Sequence, residues 1–338
     1  PYFDQLVFRF LGSDPRAAVQ QLLTMECDVL DETLLPHEIW PTLVEYQEEG
    51  HLQLLYGPAG EVVRLDFNTD PVGRSGEEFF QTTQFRQALA ACVDRERLAQ
   101  ISMQGLGSVA PSFHSYLGLQ GQDGSTLAYA PDYGSELLRQ IGWVDEDEDP
   151  ETPLVGWDVK GVYNGKRLEL TLLTPDEEQF SLIADEITTM LFDCGIHVEV
   201  ETASTEDLTS GYPDGMVFGR DFDMVLWSWP DWWLPLCEMF STREIPSEIY
   251  PFGVNATGFS DPAFDLSCDR LLLGDHESIE VNIREVQTIF NEQLPALPII
   301  QPPRLMAVAN DLCGFGVDAI TPSLLWNIEM TARGEGCN

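Results

Sequence analysis

The stretch Glu178-Gln179-Phe180-Ser181-Leu182-Ile183-Ala184-Asp185-Glu186-Ile187-Thr188-Thr189-Met190-Leu191-Phe192-Asp193-Cys194-Gly195 lies between two apolar runs, Leu168 to Leu173 and Ile196 to Val200. Phe180, Ile183, Ala184, Ile187, Met190 and Leu191 recur on one face at helical spacing, which predicts a helix. Gly195 supplies the left-handed residue that ends it, because glycine takes positive φ without a Cβ clash. The flanking runs read as strands. Alternation of strand and helix is the grammar of an α/β protein.

The same grammar extends outward in both directions. Residues 3 to 10 alternate polar and apolar, as a strand does. Asp14-Pro15 gives an N-cap and a first-turn proline for a helix to about Met25. Strands are expected at 52–57 and 62–67, and helices at 82–93 and 94–103, the second capped by Asp94. Pro131 to Ile141 reads as a helix stopped by Gly142, and Phe222 to Trp227 as a short apolar strand. Asp261-Pro262 opens another capped helix, and 278–294 forms a longer one. Leu297 to Ile300 and Leu305 to Val308 close as strands around the Pro302-Pro303 break. No internal repeat is visible.

Composition narrows the class of partner. The chain has 338 residues, 43% of them hydrophobic, enough for a sizeable core in two or three domains. Its 17 basic against 57 acidic residues give a formal charge of −40. Such a surface repels nucleic-acid phosphates and anionic membranes, so neither is an expected partner. The acidic coat reads as solvation, with attraction of cationic ligands as the sharper alternative. No run approaches the ~20 apolar residues of a membrane-spanning helix.

Seven cysteines suit an oxidising compartment. None forms a C-x-x-C pair, which disfavours zinc and thioredoxin-like readings. Cys313 and Cys337 bracket the C-terminal segment, and a disulfide there would contribute about 3 kcal/mol in the chain-entropy model. Cys237 with Cys268 is the second expected pair. Cys92 and Cys194 fall on apolar helical faces and read as buried free thiols. An odd count leaves one thiol unpaired, or paired with a portion outside the residues given.

The acidic run Asp145-Glu146-Asp147-Glu148-Asp149-Pro150-Glu151 spaces its aspartates like the start of a calcium loop. Pro150 stands where that loop's turn needs Gly, and Gly156 where a bidentate Glu belongs. A solvated acidic loop is the expectation.

Enzymatic motifs are missing. His37, His51, His114, His197 and His276 show no metal-ligand spacing, and His197, within a strand, is expected to face solvent. No G-x-S-x-G elbow, Walker A loop or G-x-G-x-x-G fingerprint occurs. No catalytic residue, metal or cofactor is therefore expected. With 57 acidic residues, any chosen glycosidase carboxylate pair is uninformative.

An ordered series of short motifs adds a family. It runs Phe3-Asp4-Gln5-Leu6-Val7-Phe8-Arg9-Phe10, Glu26-Cys27-Asp28-Val29, Phe85-Arg86-Gln87-Ala88-Leu89-Ala90 with Asp94-Arg95, and Asp221-Phe222-Asp223-Met224. Gly258-Phe259-Ser260-Asp261-Pro262, Leu294-Pro295-Ala296-Leu297-Pro298 and Leu325-Trp326-Asn327-Ile328-Glu329 follow. In this order and at these separations the chain resembles the family 5 extracellular solute-binding proteins, substrate receptors of peptide-type ABC importers. The resemblance spans nearly the whole chain but only the C-terminal two-thirds of a usual member.

That resemblance implies a type II periplasmic-binding-protein-like α/β fold, with two lobes of mixed sheets flanked by helices, closing over ligand like a clamp. Residues 1–111 and 302–338 would form the first lobe, incomplete because an N-terminal portion is missing, and 112–301 the second. Pro111 and Pro302-Pro303 lie near the implied crossings, and proline suits a defined path. It also implies an extracellular or periplasmic, lipid-anchored, monomeric receptor that delivers ligand to permease subunits. Signal and anchor would lie outside the residues given.

The stretch expected to touch ligand is Trp227-Ser228-Trp229-Pro230-Asp231-Trp232-Trp233. It follows the apolar strand and should emerge at a strand's carboxyl end, where α/β proteins build sites. Peptide-binding relatives carry an aspartate in this loop that holds the ligand's amino terminus, and Asp231 matches it; a carboxylate pairs well with an ammonium in a dry site. The usual loop has Trp three residues before that aspartate, where this chain has Ser228, with Trp229 one residue later. Trp227, Trp229, Trp232 and Trp233 are the aromatic candidates. The ligand expected is an oligopeptide, with an oligosaccharide second because indoles also stack on sugar rings, and an extracellular glycan hydrolase is the competing class. The plainer alternative has the tryptophans capping a core and Asp231 capping a helix.

Overall fold

The computed structural model describes residues 3–10, 12–72, 78–114, 128–230, 237–274, 278–319 and 321–337. Its fold is mixed α/β, as expected. The chain divides into two compact units, Pro1–Gly60 with Ala99–Ser108 and Gln301–Asn338, and Glu61–Leu98 with Val109–Ile300.

The first unit holds α1 (Pro15–Leu23), β1 (Val29–Leu30), α2 (Trp40–Glu48), β2 (Gln53–Pro58) and β12 (Pro303–Val308). Asp14 caps α1 as expected, accepting from the Arg16 and Ala17 amides at 3.0 and 3.2 Å. β12 pairs antiparallel with both β1 and β2. The ribbon of β13 (Leu312–Cys313) and β14 (Ala332–Arg333) completes the unit, with Cys313–Cys337 closing the tail as expected. Residues 3–10 depart from expectation. No strand among the described residues pairs with them, and Val7, Phe8 and Phe10 are exposed. Alternation alone does not make a strand; the backbone needs a partner edge.

The second unit is built on a six-stranded sheet, ordered β4-β11-β3-β10-β8-β9. Its strands are β3 (Glu61–Phe67), β4 (Ser108–Val109), β8 (Glu169–Pro175), β9 (His197–Ala203), β10 (Met224–Pro230) and β11 (Ala296–Gln301). β3 runs antiparallel to β10 and β11, whereas β8 is parallel to β9 and β10. Short strands β5 (Trp143–Val144), β6 (Val155–Gly156) and β7 (Lys166–Arg167) form a side sheet. The helices are α3 (Thr83–Ala91), α4 (Arg95–Ile101, of which Ala99–Ile101 falls in the first unit), α5 (Pro131–Gln140), α6 (Glu178–Asp193), α7 (Thr205–Thr209), α8 (Pro262–Leu273) and α9 (Ile279–Gln293). α6 buries the six residues its periodicity predicts, and Gly195 follows at φ +77°.

Directly paired residues of antiparallel strands share a face, so Val62, Arg64 and Asp66 of β3 lie with Trp229, Trp227 and Val225 of β10. That face packs a cluster containing Phe113, Phe240, Phe264 and Phe290, the last two from α8 and α9. The opposite face presents Phe67, stacked on Phe80 at 5.1 Å, with Phe85 of α3 edge-on at 5.2 Å from Phe80. Helices therefore cover both faces.

The unit ranges differ from the lobe ranges expected, 1–111, 112–301 and 302–338. Residues 61–98 sit in the second unit because β3 lies in its sheet between β10 and β11. A strand's membership follows its hydrogen-bond partners, which the local sequence does not name.

Two corrections concern side chains. Cys92 and Cys194 are not free thiols: they form a disulfide, Cα atoms 6.4 Å apart, beside the expected Cys237–Cys268 pair. Each ends a helix, α3 and α6, and those ends meet although 102 residues separate them. His197 does not stand clear in solvent. Its ring lies 5.0 Å from Phe192, with Nε2 buried.

Several of the ordered motif residues are scaffold. Arg86, nine-tenths buried or more, donates to the carbonyls of Phe80, Gln293 and Leu294, and burial lowers its guanidinium to about 10. Asp94 caps α4 through the Arg97 amide at 3.0 Å, and Asp223 accepts from the Thr171 amide and hydroxyl. Asp261 caps α8 through two amides at 2.9 Å, and Asn327 donates to the Gly314 carbonyl.

Candidate functional site

β8, β9 and β10 are mutually parallel, so their carboxyl ends, Pro175, Ala203 and Pro230, share one sheet edge. Open α/β sheets bind ligands outside that edge, where turns leave groups unengaged by the ladder. Beside β8 and β9 the edge holds a polar hollow of about 630 Å³, lined by Asp176, Thr202, Ser204, Asp207, Ser210 and Asp214 among others. Ser204 closes it on one side, accepting from the Asp207 amide at 3.1 Å and donating to the Asp207 carboxylate at 2.7 Å. Sequence reading missed this hollow, since carboxylates are too common in this chain to mark a place.

β10 runs to Pro230, beyond the expected end at Trp227, so Trp227 and Trp229 are strand residues. Two residues apart, they point to the same face. Trp229 is 3% exposed, edge-on to Phe218 at 6.4 Å. Trp227 is half-buried, parallel to Phe180 of α6 with ring centroids 6.5 Å apart. Ser228 faces the other way and donates to Glu61 Oε2 at 2.9 Å. Asp231, Trp232 and Trp233 lie outside the described residues.

Beneath Trp229 is a group the sequence reading passed over. Arg64, 1% exposed, donates through Nε and Nη2 to the two Asp66 carboxylate oxygens at 2.9 and 3.0 Å. Its carbon Cζ lies 4.8 Å from the Trp229 ring centroid and 4.9 Å from that of Phe240. Burial pushes the Asp66 carboxyl up, against which Arg64 pulls it down. The signal was present in Val62-Val63-Arg64-Leu65-Asp66-Phe67, where opposite charges two apart interrupt an apolar strand.

The described chain resumes at Cys237. Cys237 is buried and bonded to Cys268, and Met239 and Phe240 of the following 3-10 turn are in the core. The chemistry on offer is aromatic faces, carboxylates and hydroxyls, which suits recognition. Among the described residues no group of three or more His, Cys, Asp or Glu is placed to hold a metal ion.

Residues 1–248 match the family described as "Bacterial extracellular solute-binding proteins, family 5 Middle". The chain is a member of that family. It is 22% identical over 255 residues to the oligopeptide-binding protein OppA of Mycobacterium tuberculosis, 74% of this chain but 39% of that protein. In fold it is similar to the oligopeptide-binding protein AppA from Bacillus subtilis, solved with a nonapeptide, at TM-score 0.65 and 21% identity, covering 95% of this chain and 59% of that one. It is also similar to NikZ from Campylobacter jejuni, solved with Ni(L-His), at TM-score 0.65 and 16% identity, covering 95% and 60%. These structures share the type II fold expected here. The chain thus spans about two-fifths of the length of the curated relative it matches.

Proposed function

We propose that this chain is the substrate-holding part of an extracellular receptor of an ABC importer, and that its ligand is an oligopeptide bound without chemical change. Family membership over residues 1–248 carries the reading. The names of the relatives favour a peptide, since OppA is an oligopeptide-binding protein and AppA was solved with a nonapeptide. NikZ, solved with Ni(L-His), shows that the fold also serves other ligands. In this reading each compact unit belongs to one lobe, and the receptor acts as a monomer on its permease subunits.

Asp231 holds the ligand's amino terminus, and Trp227, Trp232 and Trp233 supply the apolar surround, whereas Trp229 is buried in the core and offers a ligand no surface. An ammonium–carboxylate contact away from water is short and charge-assisted. The acidic hollow beside β8 and β9 adds a preference for ligands with cationic side chains.

A thermal-shift screen of the chain against mixed di- to penta-peptides, and separately oligosaccharides, repeated with Asp231→Ala, tests this. A peptide shift abolished by the substitution is expected. A sugar shift indifferent to it transfers the ligand to glycans. Release of product from an oligosaccharide overturns the receptor reading in favour of a hydrolase.

A further inference from the structure

The chain sets 17 basic residues against 57 acidic ones, and of the former only Lys160 and Lys166 are lysines. At that excess the surface charges repel one another and oppose the compact state, the more so the lower the ionic strength.

The arginines offset little of it, because packing turns several of them inward. Arg64, Arg86 and Arg220 are buried. Arg64 is taken up by Asp66, and Arg86 by the carbonyls of Phe80, Gln293 and Leu294. Arg95 donates to the Ala110 and Pro298 carbonyls, and Arg304 to the Asp318 and Thr321 carbonyls beside its Glu32 partner. A cation engaged with a backbone carbonyl neutralises no carboxylate. Exposed arginines are shared: Arg243 serves both Glu238 and Asp269, and Arg333 both Asp28 and Asp311.

The helix ends show the same shortage. A helix's carboxyl end attracts a cation, through its partial negative charge and its unsatisfied carbonyls. Neither α2 nor α6 has a basic residue in its last turn. Instead Glu48 and Glu49 close α2 and Asp193 closes α6, all three exposed. β9, at one end of the six-stranded sheet, holds Glu199 in solvent as well. The coat and these helix dipoles therefore oppose the fold together, and both effects weaken as mobile cations accumulate.

We propose that the partner of this acidic coat is the dissolved monovalent cation itself: the fold is built for a medium of molar salt, and cations gathered at its carboxylates and helix ends hold it together. A surface charge is felt over about 10 Å at 0.1 M salt but over only about 3 Å at 1 M, which confines the repulsion to near neighbours. Nothing in this depends on which solute the receptor binds.

A salt series tests it, with potassium chloride as the probe and melting temperature as the readout. Between about 0.1 and 3 M the parent should gain about 10 °C or more, or be unfolded already at the low end. A melting temperature that is flat or falls over that range overturns the proposal. A second arm reverses charge at exposed positions by combining Glu45→Lys, Glu48→Lys, Glu49→Lys, Asp193→Lys and Glu199→Lys. This variant should melt above the parent at the low end, and the gap should narrow by about half or more at the high end, because salt screens the same charges. An equal rise in both proteins means that salt acts on apolar burial rather than on the coat, and overturns the proposal. Should the fivefold variant not fold, Glu48→Lys with Asp193→Lys is read against the same expectations.

Discussion

Arg86 Nε donates to the carbonyl oxygen of Leu294 at 3.0 Å, joining residues 208 apart in sequence. Leu294 ends α9 in the left-handed conformation at φ +49°, which leaves the last carbonyls of the helix facing a cation. A guanidinium there meets both the unsatisfied oxygens and the negative end of the helix dipole. The contact fixes α3 to α9 within the second unit.

Arg86→Met should therefore leave the Phe80, Gln293 and Leu294 carbonyls without this donor. Each buried unpaired acceptor costs about 1–3 kcal/mol, so a loss of about 3 kcal/mol or more is expected in urea unfolding. Arg86→Lys should recover only part, because an ammonium cannot fork to the same oxygens. Equal stability of all three forms would show the contact to be dispensable.

The Cys92–Cys194 disulfide closes a loop of 102 residues. Replacing both with serine should cost about 4.7 kcal/mol in the chain-entropy model, read as a fall in melting temperature. Thiol titration of the denatured, unreduced parent should find Cys27 free and the other six cysteines blocked. Two additional thiols would mean that one of these pairs is open.

Asp261→Ala should destabilise by about 1 kcal/mol, since it uncaps two amides at the start of α8. Asp261→Asn should be nearly neutral, because an amide oxygen accepts equally well at that position. A calorimetric scan of the two variants separates capping from charge.

The acidic run spends its carboxylates on itself. Asp145, Asp147 and Asp149 accept from the amides of Glu148, Asp149 and Glu151, and Thr152 donates its hydroxyl to Asp147 at 2.8 Å. The Thr152 hydroxyl and the Asp149 amide hold the Asp147 carboxyl below its usual range. A depressed carboxyl keeps its contribution above the ordinary value and loses it as pH falls through the lower folded value. NMR titration should accordingly show Asp147 protonating below the ordinary aspartate range. Millimolar calcium should leave the melting temperature unchanged; a rise would identify a cation site.

Much of the fold was legible because its signals are local. The Asp14, Asp94 and Asp261 caps, the α6 face and the Gly195 stop each need only a few neighbouring residues. The candidate site was legible in part. Trp227 and Trp229 were expected beside a strand end, and both are within β10, where Trp229 is buried. Arg64 was passed over because a buried charge in a strand becomes intelligible only once its partners, up to 175 residues away, are in place.

By itself the sequence determined the α/β class, the limits of α1, α3, α4, α5, α6 and α9 to within about two residues though not the existence of α2 or α7, the Cys237–Cys268 and Cys313–Cys337 pairs and, through its ordered motifs, the family. Tertiary structure alone decided that 3–10 has no strand partner among the described residues, that 61–67 joins β10 and β11, and that Cys92 meets Cys194. The reason is physical: periodicity and capping energies act over one or two helical turns, whereas strand pairing, disulfides and buried ion pairs depend on which distant surfaces the packed core brings together.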